Sequence, residues 1–165
     1  MTKGSGQMLI QPATPNQAPE IAALYRQLTG EMSALAPTVI QPLHQDNAAD
    51  FYDYLIDPQS DIFITTDQSR IVGFALVLAA TTGVELEAVF HRFALCVDLY
   101  VQPAYRHQGR AQALLTAVDD WAKAHACEFV QLNVLAANTQ AQQFYQQAGF
   151  LPQQLTLTRP VRQQP

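Results

Sequence analysis

DLYVQPAYRHQGRAQALL, from Asp98 to Leu115, holds the transition that sets the architecture. Its first residues close a β-branched and aromatic run, Phe93 to Val101, that reads as a strand. Gln102 to Gly109 then carry a proline, two basic side chains and a glycine. Ala111, Leu114 and Leu115 open a helical pattern that continues through Val118, Trp121 and Ala122, so a helix is expected from about Gly109 to Ala124. A strand that ends in a glycine-containing loop and feeds a helix leaves several backbone N–H groups without an intrahelical partner. They converge on one point, and the helix dipole makes that point mildly positive. Gly109 lets a ligand come close to the backbone, and Ala111 is small enough to do the same. Arg106 and Arg110 add positive charge. A phosphate or pyrophosphate suits such a loop.

Outward from this transition the elements alternate. Met8 to Ala13 reads as a first strand. Thr14, Pro15 and Gln17 form a capping-box pattern with proline at the first helical position. Ile21, Leu24, Tyr25 and Leu28 follow at i, i+3, i+4, i+7, which predicts a helix running to about Gly30. Glu31 to Leu43 is irregular, with Pro37 and Pro42. A second helix is expected within Asp46 to Ile56, with Phe51, Tyr54 and Leu55 inward. Asp61–Asp67 and Ile71–Ala80 read as a hairpin about a short polar turn. Beyond the central helix, Phe129 to Ala136 reads as a strand and Thr139 to Gln147 as a short helix stopped by Gly149. Leu155 to Arg159 is expected to be a last strand. The pattern predicts a mixed α+β fold containing at least one strand–helix–strand crossover, from Phe93 to Ala136.

Bulk properties narrow the function classes. The chain has 165 residues and is 48% apolar, enough for one domain with a real core. Residues 8–165 are read as that domain, and 1–7 as a disordered tail or an expression remnant. No apolar stretch reaches the roughly 18 residues needed to span a bilayer, and the N-terminus lacks an apolar signal core. The net charge of −5 argues against a general nucleic-acid binder and is compatible with a cationic small substrate. The two cysteines, Cys96 and Cys127, make no disulfide framework, so a cytoplasmic setting is expected. His125 and Cys127 are only two ligands without a second pair, and no metal site is expected.

The phosphate ligand can be narrowed. A Walker loop needs Gly-Lys-Ser/Thr at its end, which is absent. A dinucleotide loop needs three glycines in an early βαβ unit, and only one glycine is present. Arg106-His107-Gln108-Gly109-Arg110-Ala111 instead resembles the Gln/Arg-x-x-Gly-x-Gly/Ala signature of the GNAT superfamily of acetyl-CoA-dependent N-acetyltransferases. Alanine stands at the last position, where many relatives have glycine. Downstream, Leu132-Asn133-Val134 and the run from Asn138 to Phe150 are similar to the family's fifth strand and its Asn-x-x-Ala-x-x-Phe-Tyr-x-x-x-Gly-Phe segment. The agreement covers Val97 to Leu151.

The resemblance implies an acyl-CoA N-acyltransferase fold: a central mixed, mostly antiparallel splayed sheet flanked by about four helices. It implies that the amides of Gln108, Gly109, Arg110, Ala111 and Gln112 hold the CoA pyrophosphate, with Arg106 beside it. Leu99 and Val101 would pair with the pantetheine arm as though it were an added strand, and Asn138 would bond the same arm. Tyr145 would protonate the leaving thiolate. Asn138 could be only the N-cap of the short helix, or serve both roles, and Tyr145 falls on the apolar stripe of its helix, so the alternative to the acid role is a core residue with its hydroxyl at the edge.

A primary amine with a pKa near ~10 must lose a proton before it attacks a thioester, and a carboxylate can take it. Asp98, Glu85 and Glu87 are the candidate bases. The two glutamates alternate with apolar residues and so would share one strand face. Cys96 reads as a small packed residue rather than a nucleophile. Asp46, Asp50 and Asp53 fall at i, i+4, i+7 on the second helix; either Asp50 and Asp53 attract a cationic acceptor, or the stripe is a solvated face.

The expected activity is acetyl transfer from acetyl-CoA to a primary amine by direct attack in a ternary complex, a small cationic molecule ranking ahead of a protein. A protein N-terminal or lysine acetyltransferase and a non-catalytic acyl-CoA sensor stay open, as does a homodimer formed through Leu155 to Val161.

Overall fold

In the computed structural model, residues 8–161 are described apart from Val84. The expectation for 1–7 lies outside those residues. Five strands occur in the order β1 (Leu9–Pro12), β2 (Ser60–Asp67), β3 (Arg70–Thr81), β4 (Arg92–Val101) and β5 (Val130–Leu132). They lie side by side in the same order. The first three pairings are antiparallel and β4–β5 is parallel. Four helices accompany them: α1 (Ala18–Leu35), α2 (Ala48–Ile56), α3 (Arg110–Ala124) and α4 (Thr139–Gln147). The fold is the expected mixed, mostly antiparallel sheet with four helices. No helix among the described residues is long and apolar enough to cross a membrane.

The sheet separates two cores because successive strand residues face opposite sides. Ile62, Ile64, Phe74, Leu76 and Tyr100 pack with Ile21 and Leu24 of α1 and Phe51 of α2. On the other face, Ala75, Val77 and Cys96 pack with Leu114, Val118 and Trp121 of α3. Each fully buried large apolar side chain contributes about 1.5–3 kcal/mol. The two-residue turn of the β2–β3 hairpin places Gln68 and Ser69 at positive φ, the conformation that matches strand twist.

One irregularity governs the site. Leu76 faces Asp98 and Val77 faces Cys96, so Val97 is an extra residue in β4. Such a bulge bends the strand and reverses which face the following side chains meet. Cys96 therefore packs under α3, whereas Tyr100 joins the α1–α2 core. The same bend takes β4 away from β5, which pairs only with Ala94 to Cys96.

Several sequence expectations are corrected. α1 does not stop at Gly30 but runs to Leu35. The cost of a mid-helix glycine, about 1 kcal/mol, is offset by the bonds that Glu31 makes on the next turn. The fifth strand ends at Leu132 rather than Ala136, because β4 has turned away. No strand forms over Leu155–Arg159; the segment is exposed and pairs with nothing among the described residues. Asp46 lies outside α2, where its carboxylate accepts from the Ala48 N–H at 3.0 Å. Glu85 and Glu87 are exposed in the β3–β4 turn region, so they share no strand face.

Candidate active site

The loop after β4 is built to leave amides free. Pro103–Tyr105 forms a single 3-10 turn, and His107 adopts φ 60°. Gly109 caps α3 at φ 79° and no side chain caps the helix. The first intrahelical bond is Ala113 N–H to the Gly109 carbonyl at 3.0 Å, so the amides of Arg110, Ala111 and Gln112 have no helical acceptor. A Cβ added at Gly109 would meet nothing within 4 Å, which leaves room for a ligand against the backbone. The conformation itself favours glycine there.

The two arginines do not present their charges as the sequence suggested. Arg110 is only 5% exposed. Its guanidinium donates to the Thr65 hydroxyl at 2.7 Å and the Thr66 carbonyl at 3.0 Å, tying α3 to the end of β2 opposite the β3 bulge at Val72. Arg106 donates from Nε to the Val101 carbonyl at 2.7 Å and from its terminal nitrogen to Glu31 at 2.7 Å. Glu31 also accepts from the Tyr100 hydroxyl at 2.8 Å. Burial and Glu31 raise the Tyr100 pKa, so this bond keeps its proton. Glu31 thus joins α1 to the β4 exit, a role with no signal in the sequence pattern. The charge at the loop comes from amides and dipole more than from guanidinium groups.

Beyond the bulge, β4 offers a free edge. Gln102 N–H bonds to the Val72 carbonyl at 2.9 Å. By antiparallel alternation, Tyr100 bonds toward β3, while Leu99 and Val101 point their backbone groups toward the side β5 has left. Two strands that separate in this way open a wedge lined with unpaired N–H and C=O groups. One of these, the Val101 carbonyl, is occupied by Arg106.

On the α1–α2 side of the wedge lies a cavity of about 660 Å3. Its walls include Tyr25, Asp46, Asp50, Asp53, Asp57 and Asp98, with no lysine or arginine in the lining among the described residues, though Arg26 of α1 pairs with the Asp46 carboxylate at 3.6 Å. Asp57 was missed by sequence reading, although it continues the same spacing four residues after Asp53. The bulge turns Asp98 into this cavity, and burial pushes its carboxyl up to about 6. Burial and the nearby Asp98 carboxylate also raise the Tyr25 pKa.

Tyr145 stands on α4 with its ring between Phe144 and Phe150, at centroid distances of 5.4 and 5.7 Å. Burial, followed by Cys96 and Asp98, holds its hydroxyl protonated well above the usual tyrosine range. Cys96 is buried, which pushes its thiol up to about 12 and makes thiolate chemistry unfavourable. Asn138 accepts from the Ala141 N–H at 3.1 Å and is the N-cap of α4. His125 bonds the Trp121 carbonyl at 2.9 Å and stacks on its ring. Neither Glu85 nor Glu87 lines the cavity.

Residues 22–150 match the Acetyltransferase (GNAT) family. An uncharacterized N-acetyltransferase of Mycobacterium bovis is 33% identical over 120 residues, covering 71% of this chain and 70% of the relative. Among solved structures, a mutant of the BH1408 protein of Bacillus halodurans superposes with TM-score 0.85 at 21% identity, over 94% of this chain and all of that one. The aminoglycoside N-acetyltransferase AAC(6')-Iy, solved in complex with CoA, superposes with TM-score 0.74 at 21% identity, over 98% of this chain and 99% of that one. A loop of free amides after β4 and a strand edge opened by a bulge accord with these matches: the chain belongs to the GNAT acetyltransferase family.

Proposed function

We propose that the protein transfers an acetyl group from acetyl-CoA to a primary amine of a small polycationic molecule, by direct attack in a ternary complex. The observation that carries this reading is the carboxylate-walled cavity meeting the open β4 edge at Asp98. The enzyme is an acyltransferase by family; the acceptor and the residue roles are the proposal.

The chain's own groups fit the co-substrate. Amides of Gln108 to Gln112 face open space at Gly109 and would hold the pyrophosphate. Leu99 and the Val101 N–H would pair with the pantetheine arm, and the Asn138 amide nitrogen, free of the capping bond, would add to them. Arg106 acts beside them by holding the Val101 carbonyl and the loop. Acetyl-CoA supplies an activated acyl thioester.

Asp98 takes the proton from the bound amine, directly or through a water. With its carboxyl near pH 6 it is ionised at pH 7, yet it is a stronger base than an ordinary aspartate. The nitrogen forms a bond to the acyl carbon, and strand β4 amides stabilise the negative oxygen. The carbon–sulfur bond breaks, and Tyr145 gives its proton to the departing sulfur. The nitrogen, now part of the amide, sheds its second proton, which replaces through water the one Tyr145 gave up, and bulk water removes the proton held by Asp98. Much of the rate comes from holding both substrates in register.

Asp46, Asp50, Asp53 and Asp57 favour an acceptor with more than one positive charge, since a low-dielectric cleft lined by one sign concentrates the opposite charge. AAC(6')-Iy has also been solved with a bisubstrate analogue of CoA and acetylneamine, which supports amine acetylation on this fold. The test is thiol release from acetyl-CoA with spermidine and neamine as acceptors. Asp50→Asn with Asp53→Asn should raise the acceptor KM about tenfold, the loss of ~1.4 kcal/mol, and leave kcat unchanged. An unchanged KM overturns the acceptor cavity. CoA binding without thiol release from any amine overturns the catalytic reading.

A homodimer is part of the proposal. Leu155, Leu157 and Val161 are 78%, 89% and 91% exposed, and β5 is an edge strand whose outer side pairs with nothing among the described residues. α4 buries none of its residues fully. An exposed alternating segment and an uncovered edge in one chain complement each other between two copies.

A further inference from the structure

A second cavity adjoins the acidic one. It measures about 280 Å3 and shares three walls with its neighbour: Tyr25, Leu43 and Asp98. Its remaining lining is mostly apolar, with Thr29 and Gln41 as its two polar members. Met32 comes from α1, and Val39 and Ile40 come from the turn that follows it. Not one carboxylate other than Asp98 lines it.

The lobe is held in shape by specific bonds. The Val39 and Ile40 amides both bond to the Ala36 carbonyl, at 2.9 and 3.0 Å, folding the turn back over the end of α1. Thr29, 6% exposed, accepts from the Leu43 N–H at 3.1 Å and donates to the Arg26 carbonyl at 3.1 Å. These bonds pin the segment from Ala36 to Leu43 onto α1. Val39 is 68% exposed even so, because its side chain borders the lobe and no neighbour covers it. A small solvent-open apolar lobe next to a charged one gains free energy only when a ligand's apolar part displaces the water.

We propose that the acceptor is amphipathic: the carbon bearing the attacked amine branches into a cationic arm that enters the acidic lobe and an apolar group of a few carbons that enters the Met32–Val39–Ile40 lobe. Asp98 is shared by both lobes, so the amine it deprotonates must sit where they meet. This rests on the proposed acetylation of an amine at Asp98 and adds to it what flanks that amine. Purely polar polyamines are then poorer acceptors than their branched counterparts, since they leave the apolar lobe wet.

The test compares glycyl-putrescine with leucyl-putrescine in the thiol-release assay. The two carry the same charges and differ only by the isobutyl group beside the reacting amine. The leucyl compound should have the higher kcat/KM by about tenfold or more, the range that filling an apolar pocket commands. Ile40→Asn and Val39→Asn, tested singly, should each reduce that ratio at least about threefold. Each should keep the rise in melting temperature that CoA produces, which shows that the variant is folded. Equal rates on the two compounds, or a ratio unmoved by both variants, overturns the amphipathic acceptor while leaving amine acetylation standing. Thiol release from neither compound, with CoA still raising the melting temperature, overturns amine acetylation and this inference together.

Discussion

Asp98 is where stability and the proposed chemistry oppose each other. Its carboxyl titrates near 6 in the folded chain, against about 3.9 when unfolded. The folded state therefore holds the proton more tightly, and stability falls as pH rises from about 4 to about 6. Above that window the buried charge costs up to about 3 kcal/mol. Asp98→Asn should melt higher than wild type at pH 8, with the difference gone by pH 4, as followed by calorimetry. The same substitution should lower kcat by about a hundredfold or more, because the amine loses its proton acceptor. In the wild type, kcat/KM should fall as pH drops through about 6. Tyr145→Phe should lower kcat at high acceptor concentration and leave the acetyl-CoA KM unchanged, since only the departing sulfur loses its proton source. At this scale the sequence was informative where a side chain sits in a motif, as at Tyr145 and Asn138. It was silent on Asp98, one of three equal candidates, because the difference between them is burial.

At the scale of elements, the bulge at Val97 decides the site. Read as a straight strand, FALCVDLYV puts Cys96, Asp98 and Tyr100 on one face; the extra residue sends Cys96 to α3 and Tyr100 to α1. No turn residue or break in composition marks the bulge, so alternation alone could not find it. The β4 exit and the start of α3 were legible because Pro103, Gly109 and the apolar spacing after it are local signals. The course of α1 was not. Gly30 resembles a stop, and Glu31 keeps the helix going through partners distant in sequence, Tyr100 and Arg106. Glu31→Ala strips both bonds and should cost about 1–3 kcal/mol in denaturant unfolding. Gly109→Val should abolish the rise in melting temperature that CoA produces, through its positive φ and the Cβ it places at the amides.

For the whole molecule, the succession of elements and the crossover followed from the sequence patterns, and the end of the chain did not. Leu155 and Leu157 alternate as a strand should, but a strand needs a neighbour, and none within the described chain meets them. Light scattering should find a dimer, and Leu155→Glu with Leu157→Glu should yield a monomer; a wild-type monomer at all concentrations would remove the dimer proposal. Five of the chain's 14 acidic residues line one cavity, the four aspartates from Asp46 to Asp57 and Asp98. The central claim is that an amine drawn to this cavity is acetylated at Asp98. It is tested most directly by mass spectrometry of spermidine incubated with acetyl-CoA and enzyme, in parallel with Asp98→Asn. The wild type should give monoacetylated amine and free CoA in equal amounts, and the variant about a hundredth of that rate or less. Equal rates from the two proteins, or CoA release with no acetylated amine, would contradict it.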